Sequence, residues 1–134
     1  MNDRELIGLA LAARENAYCV YSGMAVGAAL LAESGKIYLG SNIENAAYSP
    51  TVCAERVALF EAVNKGERKF KKIAIAGGYW GKRPSTPFYP CGVCRQVLAE
   101  FCDDDFEIIV SSGDTYEKYT LRELLPKSFT EKLF

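Results

Sequence analysis

The sequence of 134 residues contains no histidine, so the metal ligation and proton transfer for which this residue is commonly used would fall to other side chains. A basic excess is also missing: the formal net charge is −1, which argues against a protein that follows a nucleic-acid backbone. No stretch approaches the ~20 apolar residues of a membrane helix. We therefore expect a soluble protein that binds neither a membrane nor a nucleic-acid polymer.

The length fits one domain, residues 1–134, and hydrophobic and charged residues at 49% and 25% are typical of a globular fold. The first residues, MNDRELIGLALAAREN, lack the basic start and apolar middle of a signal peptide, which favours a cytoplasmic location. Disulfides are not expected in that reducing compartment. The five cysteines are therefore better candidates for metal binding or catalysis.

Hydrophobic periodicity and turn residues predict the element order α-β-β-α-β-α-β-β. The predicted elements are a helix over residues 3–17, two strands around a turn at Glu33–Lys36, a helix in VCAERVALFEAVNKG, a strand in KKIAIAGG, a helix in CGVCRQVLAEF, a strand in FEIIVSS and a short strand near Tyr116–Leu121. Asn2 or Asp3 is suited to cap the first helix, and Gly66 to end the second. The order indicates an α/β fold, a three-layer α-β-α sandwich on one mixed five-stranded sheet.

Cys91 and Cys94 are separated by two residues in PCGVCRQVLAEF, a spacing found in zinc sites and in redox pairs. Both lie in the first turn of a predicted helix, with Pro90 where a helix can begin. The dipole at a helix start favours thiolates, which are the form that zinc binds. Cys53 lies at the start of another predicted helix. If the two helix starts face each other, three thiolates can reach one ion.

A site of three cysteines would leave the fourth tetrahedral position open, which is typical of catalytic rather than structural zinc. A closed site would need Cys19, Cys102 or a carboxylate. Cys102 lies at least two helical turns beyond Cys94 and is a poor candidate. The sequence leaves the position of Cys19 open.

Two charged residues, Glu55 and Arg56, follow Cys53 within the motif CAER. Glu55 points away from Cys53 on a regular helix, so it is a poor metal ligand, but it could reach a metal-bound water and transfer protons. The alternative is that it only stabilises the helix dipole. Arg56 could offset the negative charge of the thiolates by hydrogen bonding to sulfur, as could Arg95. The alternative for both arginines is a surface ion pair.

The motifs together resemble those of the zinc-dependent cytidine deaminases of the small homotetrameric kind. CAER is followed by PCGVCRQV, and YSGMAVGAALL, GSNIENAAYS and RELLPKSF match further blocks of that family in the same order. The resemblance covers nearly the whole chain. It implies a single cytidine deaminase domain that converts cytidine and 2′-deoxycytidine to uridine and 2′-deoxyuridine, with release of ammonia, in pyrimidine salvage. It also implies a homotetramer with active sites near the subunit interfaces.

The resemblance further assigns the reacting groups. Cys53, Cys91 and Cys94 would bind one zinc ion per subunit, which would supply hydroxide near neutral pH. Glu55 would take the proton of the water and pass it to the pyrimidine N3 and then to the departing amino group.

Substrate-binding residues are also implied by the resemblance. Asn42 and Glu44 would hold the ribose hydroxyls, and the backbone at Ala54 would contact the base edge. Tyr48 would help to wall the pocket, and Phe129 would reach a neighbouring subunit's site. Asn42 and Glu44 alternate and therefore share one side of an extended segment, with turn formation as the alternative. The alternative for Tyr48 and Phe129 is ordinary packing.

Two features depart from the family pattern and concern substrate choice. Met24 stands where the family has a phenylalanine against the pyrimidine, and methionine lacks the aromatic stacking geometry. The stretch GGYWGKRPSTPFYP, which ends at Pro90, is longer than in the family, and we expect it to form a loop at the pocket mouth. We therefore expect a more permissive pocket that accepts cytidines with substituents on N4.

Three other functions are compatible with parts of the pattern. The protein could deaminate another aminopyrimidine nucleoside such as a nucleoside antibiotic, although the pair Asn42 and Glu44 favours an ordinary ribose or deoxyribose. It could be a zinc-stabilised binding module, which would need a fourth protein ligand. It could be a thiol oxidoreductase that uses Cys91 and Cys94 as a redox pair.

Overall fold

A mixed sheet of five strands in the order β2-β1-β3-β4-β5 lies at the centre of the computed structural model, which describes residues 1–134. The β3–β4 pair is parallel, and the other three neighbouring pairs are antiparallel. The strands are β1 (Met24–Ala32), β2 (Ile37–Ser41), β3 (Phe70–Tyr79), β4 (Glu107–Ser111) and β5 (Tyr116–Thr120). The predicted mixed five-stranded sheet is confirmed.

Four α-helices accompany the sheet: α1 (Asp3–Ala13), α2 (Ala54–Asn64), α3 (Gly92–Phe101) and the single turn α4 (Leu121–Leu124). The predicted order of elements is therefore confirmed, with α4 as an addition. The first helix is shorter than the predicted span 3–17, because its last part is a tighter 3₁₀ turn at Arg14–Asn16. α3 begins after Cys91, so Pro90 precedes the helix cap instead of opening the first turn.

Both faces of the sheet are covered, which confirms the three predicted layers. The larger core lies between the sheet and α2, α3 and α4, and it includes Leu30 and Ile73. The smaller core lies between the other face and α1, and it includes Ala29 and Ala74. Because neighbouring side chains of a strand point to opposite faces, Ala29 and Leu30 belong to different cores.

The predicted turn and cap residues have the expected geometry. The Asn2 side chain accepts a hydrogen bond from the Glu5 N–H at 2.8 Å and so caps α1. Gly35 in the β1–β2 turn and Gly66 after α2 have φ angles of +91° and +97°, which favour glycine.

A glycine in β2 allows α2 to approach the sheet closely. A Cβ atom on Gly40 would lie 2.3 Å from the carbonyl oxygen of Ala54 and 2.6 Å from the backbone nitrogen of Ala58. Any larger residue would therefore push the first turn of α2 outward. This contact fixes the helix start that carries Cys53 and Glu55.

None of the helices is both long enough and apolar enough to cross a lipid bilayer. The longest have 11 residues, whereas a bilayer requires about 20.

Candidate active site

Three cysteine sulfurs meet between the starts of α2 and α3. Cys53 Sγ lies 3.7 Å from Cys91 Sγ, which in turn lies 3.5 Å from Cys94 Sγ. The ligand atoms of the three residues all lie within 4.8 Å of one another, and no further cysteine or carboxylate belongs to the cluster. Cys19 and Cys102 are buried elsewhere as free thiols.

Two of the three cysteines are helix N-cap residues, and this determines where their thiols lie. Cys53 is the N-cap of α2, and Cys91 is the N-cap of α3. Cys94 is in the first turn of α3, and its backbone N–H donates to the Cys91 sulfur at 3.4 Å. Unpaired N–H groups and the positive dipole end at both helix starts stabilise negatively charged sulfur.

The electrostatics of the cluster favour a thiolate at Cys53. A hydrogen bond with Cys94 lowers the pKa of Cys53 to about 5 against the opposing effect of burial, and a hydrogen bond from Arg56 contributes in the same direction. The pKa of Cys94 is raised, by the hydrogen bond with Cys53 and by burial. Cys53 is therefore the thiolate of this hydrogen-bonded pair, and Cys94 keeps its proton.

Arg56 is the only cationic residue whose side chain donates a hydrogen bond to a sulfur of the cluster. Its Nη2 donates to Cys53 Sγ at 3.4 Å, and it forms no salt bridge with a carboxylate. Burial lowers the pKa of Arg56, but hydrogen bonds with Cys53 and Cys94 outweigh that effect and raise it. The positive charge of Arg56 therefore remains and is balanced by the cysteine cluster.

The geometry of the cluster fits a zinc ion. Tetrahedral zinc–sulfur bonds of about 2.3 Å place two sulfurs about 3.8 Å apart, close to the two separations of 3.7 and 3.5 Å. Three ligands leave one coordination position for a water or a substrate. The predicted three-cysteine arrangement is therefore present, and it could hold one metal ion.

Glu55 is a buried carboxyl group beside the cluster, with 4% of its surface exposed. Burial raises the pKa of Glu55 to about 7, and the negative charge of Cys53 adds to the effect. A carboxyl group of this pKa can both accept and release a proton near neutral pH. Glu55 lies in the first turn of α2 and forms no salt bridge with a basic side chain.

A cavity of about 340 Å³ opens beside the cluster, within the size range of small-molecule sites. It brings together most of the predicted site residues. Its lining consists of Ser22, Met24, Val26, Asn42, Glu44, Thr51, Val52, Cys53, Ala54, Glu55, Ile75, Phe88, Tyr89 and Cys91.

Asn42 and Glu44 form a polar end of this cavity. The buried side chain of Asn42 donates to the Met24 carbonyl and accepts from the Val26 N–H, each at 2.8 Å. Glu44 accepts hydrogen bonds from the backbone of Tyr21 and Ser22, each at 3.0 Å, and from the Ser22 hydroxyl. Burial acts to raise the pKa of Glu44, but these hydrogen bonds lower it below its usual value. Glu44 is therefore an ionised acceptor.

Tyr48 and Phe129 lie outside the cavity. Tyr48 is 71% exposed and lies beyond Glu44, with its ring edge-on to Tyr21. Phe129 is 64% exposed, and its ring packs edge-on against Phe134. Neither aromatic ring therefore lines the cavity of its own chain.

Two aromatic residues of the cavity, Phe88 and Tyr89, were not among the predicted site residues. They belong to the connection between β3 and α3, the long stretch that was predicted to border the pocket mouth. Their closeness in sequence to Cys91 was the one signal that could have identified them.

Comparison with known proteins agrees with this fold and site. Residues 1–110 match the model of the family described as the cytidine and deoxycytidylate deaminase zinc-binding region. The chain is 48% identical over 134 residues to a cytidine deaminase of Sporosarcina psychrophila, with 98% of this chain and 94% of the relative covered. It is 34% identical over 108 residues to a blasticidin-S deaminase of Bacillus cereus, with 78% and 76% covered.

Solved structures give the same result. The crystal structure of a cytidine deaminase from Burkholderia pseudomallei superposes with a TM-score of 0.88 at 40% identity, covering 96% of this chain and 100% of that one. Together with these relatives, an α-β-α fold and a cluster of three cysteines that could hold one metal ion indicate a zinc-dependent hydrolytic enzyme. More particularly, the chain belongs to the cytidine and deoxycytidylate deaminase family.

Proposed function

We propose that the protein catalyses the hydrolytic deamination of cytidine and 2′-deoxycytidine to uridine and 2′-deoxyuridine, with release of ammonia, as a step of pyrimidine salvage. The observation that carries this proposal is the buried Glu55 carboxyl group in a cavity whose wall includes two of the three clustered thiols. Membership of the deaminase family supports the choice of reaction.

In this proposal Cys53, Cys91 and Cys94 hold one zinc ion per subunit. When bound, zinc lowers the pKa of water from ~15.7 toward ~7 and so supplies hydroxide near neutral pH. Arg56 stabilises the ligand set, because its hydrogen bond to Cys53 Sγ at 3.4 Å withdraws negative charge from sulfur.

Glu55 moves the protons of the reaction. It accepts the proton of the attacking water, delivers it to N3 of the pyrimidine, and then assists protonation of the amino group that leaves as ammonia. Burial of Glu55 disfavours its charged form and so favours the return of the proton after it has been accepted. Water supplies the oxygen at C4, so cytidine and water are converted to uridine and ammonia.

The polar end of the cavity binds the sugar. Glu44 accepts a hydrogen bond from a ribose hydroxyl through its ionised carboxylate, and Asn42 offers the second amide hydrogen that its bond to Met24 leaves free. The backbone at Ala54 contacts the base edge beside Glu55. Met24 lines the same cavity. We also propose that cytidines with small N4 substituents are accepted, because the cavity of about 340 Å³ is within the size range of small-molecule sites.

We also propose that residues 1–134 form one domain and that four copies assemble. Exposed aromatic residues support association, since Tyr21 and Tyr48 lie beside the cavity and Phe129 and Phe134 pair elsewhere on the surface. In such an assembly Tyr48 and Phe129 would complete a neighbouring site. Light scattering coupled to size exclusion should then give four times the chain mass of 14.8 kDa, and a monomer would contradict the assembly.

We also propose a cytoplasmic location, which the state of the five cysteines supports. All five thiols are free, and three of them must stay reduced to bind metal.

The proposed function is tested by an ultraviolet assay of cytidine conversion to uridine, together with a zinc determination on the same sample. We expect turnover of cytidine and 2′-deoxycytidine with about one zinc ion per chain, the number that three clustered thiols can hold. Zinc-loaded protein that converts no cytidine derivative would overturn the proposal.

A second candidate is deamination of a nucleoside antibiotic, which the 34% identity to a blasticidin-S deaminase favours. Blasticidin S should be included in the same assay. A higher kcat/KM for blasticidin S than for cytidine would establish this candidate in place of the first.

A further inference from the structure

The connection between β3 and α3 is fixed to the body of the protein by a buried arginine. Arg14 donates to the carbonyl oxygens of Gly78 and Tyr79 at 3.0 Å and of Lys82 at 3.1 Å. Its Nε donates to the carbonyl oxygen of Ala25 in β1 at 2.9 Å. One side chain therefore joins the end of β3, the start of the connection and the strand that lines the cavity.

The Phe88 ring lies directly over a glycine of the sheet. A Cβ atom on Gly77 would lie 2.6 Å from Cγ and Cδ2 of Phe88, so only glycine leaves room for the ring. Gly77 pairs with Val26, which lines the cavity together with Phe88. The ring thus occupies a fixed place on the cavity wall, although it comes from an irregular segment.

Tyr89 is held from the other side by β5. Its hydroxyl donates to Glu117 Oε1 at 2.8 Å, and its ring packs edge-on against Tyr119 with the centroids 6.0 Å apart. The Tyr119 hydroxyl also donates to Glu117. Phe88 and Tyr89 are therefore positioned by separate parts of the fold.

Phe88 and Tyr89 lie three and two residues before Cys91 of the thiol cluster, whereas the backbone of Met24 is held by residues at the polar, sugar-binding end of the cavity. Tyr89 is two residues before Cys91, which limits their Cα separation to ~7 Å. The backbone of Met24, by contrast, is bonded to Asn42 at its carbonyl and to the Ser22 hydroxyl at its N–H.

A base that presents C4 to the thiol cluster turns its N4 and C5 substituents toward the thiol end. We propose that Phe88 and Tyr89 are the specificity-determining residues that limit the size of substituents on N4 and C5 of the pyrimidine, and that Met24 has little influence there. The inference rests on the proposed function and deepens it.

The test compares kcat/KM for cytidine, N4-methylcytidine and 5-methylcytidine; N4-methylcytidine releases methylamine in place of ammonia. Phe88→Ala and Tyr89→Ser should each raise the ratio of methylated to unmethylated substrate by about 10-fold or more, the usual scale for one methyl group in a pocket. Met24→Ala, the matched control in the same cavity, should change that ratio by less than about 3-fold on the same scale. An unchanged ratio in the aromatic variants, or a larger change in the Met24 variant, would overturn the inference.

A second variant displaces the Phe88 ring without changing Phe88 itself. Gly77→Ala should displace Phe88 and shift the same substrate ratio, and the shift should disappear when Phe88→Ala is also present. A persistent shift in the double variant would contradict the role of Phe88. Thermal unfolding of each variant checks that it folds, and the milder Phe88→Leu and Tyr89→Phe replace any variant that does not.

Equilibrium binding separates this inference from the proposed function. Calorimetry with uridine and 5-methyluridine requires no turnover, and Phe88→Ala should improve the relative affinity for 5-methyluridine. A wild-type protein that fails to deaminate cytidine defeats the proposed function. If wild type is active but neither the substrate ratio nor the relative affinity changes in the variants, the inference alone fails.

Discussion

Glu55 combines two properties that act in the same direction on a carboxyl group: it is almost fully buried, and it lies beside an anionic thiol. Both disfavour its charged form and raise its pKa. The cost of burying such a group is tolerated where proton transfer requires it. The side chain is therefore best explained by chemistry, because a surface position would satisfy the helix dipole equally well.

Replacement of Glu55 by glutamine keeps the size of the side chain and removes its ability to exchange protons. We expect Glu55→Gln to lower kcat for cytidine by at least ~100-fold, or about 3 kcal/mol of barrier, while the zinc content stays at that of the wild type. Glu61→Gln, an exposed position on the same helix, serves as the control and should remain active. Loss of zinc from the Glu55 variant would indicate a role in metal binding instead.

The reacting residues were predictable from the sequence because their positions depend on local rules. Cys53 and Cys91 each precede a strongly helical segment, so their place at a helix start follows from the chain nearby. Phe88 was not predictable in this way. Its position depends on the missing side chain of Gly77 in β3, a contact between separate parts of the chain.

At the scale of elements, the start of α2 is positioned by contact with β2. Gly40→Ala would place a Cβ atom 2.3 Å from the Ala54 carbonyl. We expect the helix to shift, with a loss of about 1–3 kcal/mol in the free energy of unfolding and a weaker affinity for zinc. Urea denaturation and competition with a zinc chelator measure the two effects.

Gly8→Ala is the matched control for this substitution. Gly8 is exposed within α1, and a Cβ atom there would contact nothing within 4 Å. The control should raise the free energy of unfolding by about 0.5–1 kcal/mol and leave zinc affinity unchanged. If Gly40→Ala behaves in the same way as Gly8→Ala, the close approach does not determine the helix position.

The order and type of the long elements were predictable because each carries its own period and end signals. The single turn α4 was not predicted, because four residues are too few to show a period. Its cap, in which the Thr120 side chain accepts from the Glu123 N–H, is visible in the sequence only once the preceding strand is known.

At the scale of the whole molecule, Asp3 connects α1 with β3 and β5 on the face of the sheet that α1 covers. It forms ion pairs with Lys72 of β3 at 2.8 Å and with Lys118 of β5 at 3.1 Å. Burial acts to raise the pKa of Asp3, but hydrogen bonds and charge attraction from the two lysines outweigh it and lower the pKa. The N-terminal helix is thereby attached to two strands.

A lowered pKa in the folded state has a defined consequence for stability. The contribution of Asp3 is complete above the usual aspartate pKa of about 3.9 and is lost as the pH falls through the lower folded value. Asp3→Asn should therefore unfold at a lower temperature than wild type at pH 7, and the difference should shrink toward pH 3. Thermal unfolding across this pH range measures it.

Asp105→Asn provides the comparison for this titration, because Asp105 is exposed and forms no ion pair. Its unfolding temperature should follow that of wild type at every pH. A difference for Asp3→Asn that is independent of pH would contradict the ion-pair explanation.

Cys53 and Cys91, the N-cap residues of α2 and α3, are 38 residues apart along the chain. A metal ion bound by both would close this loop, which contains all of α2 and all of β3, and would restrict the unfolded chain in the manner of a crosslink. Unlike a covalent crosslink, this one can be removed by a chelator or by acid, because the ligands must lose their protons to bind. Metal supply would then influence folding through the same sulfur atoms that are proposed to hold the catalytic zinc.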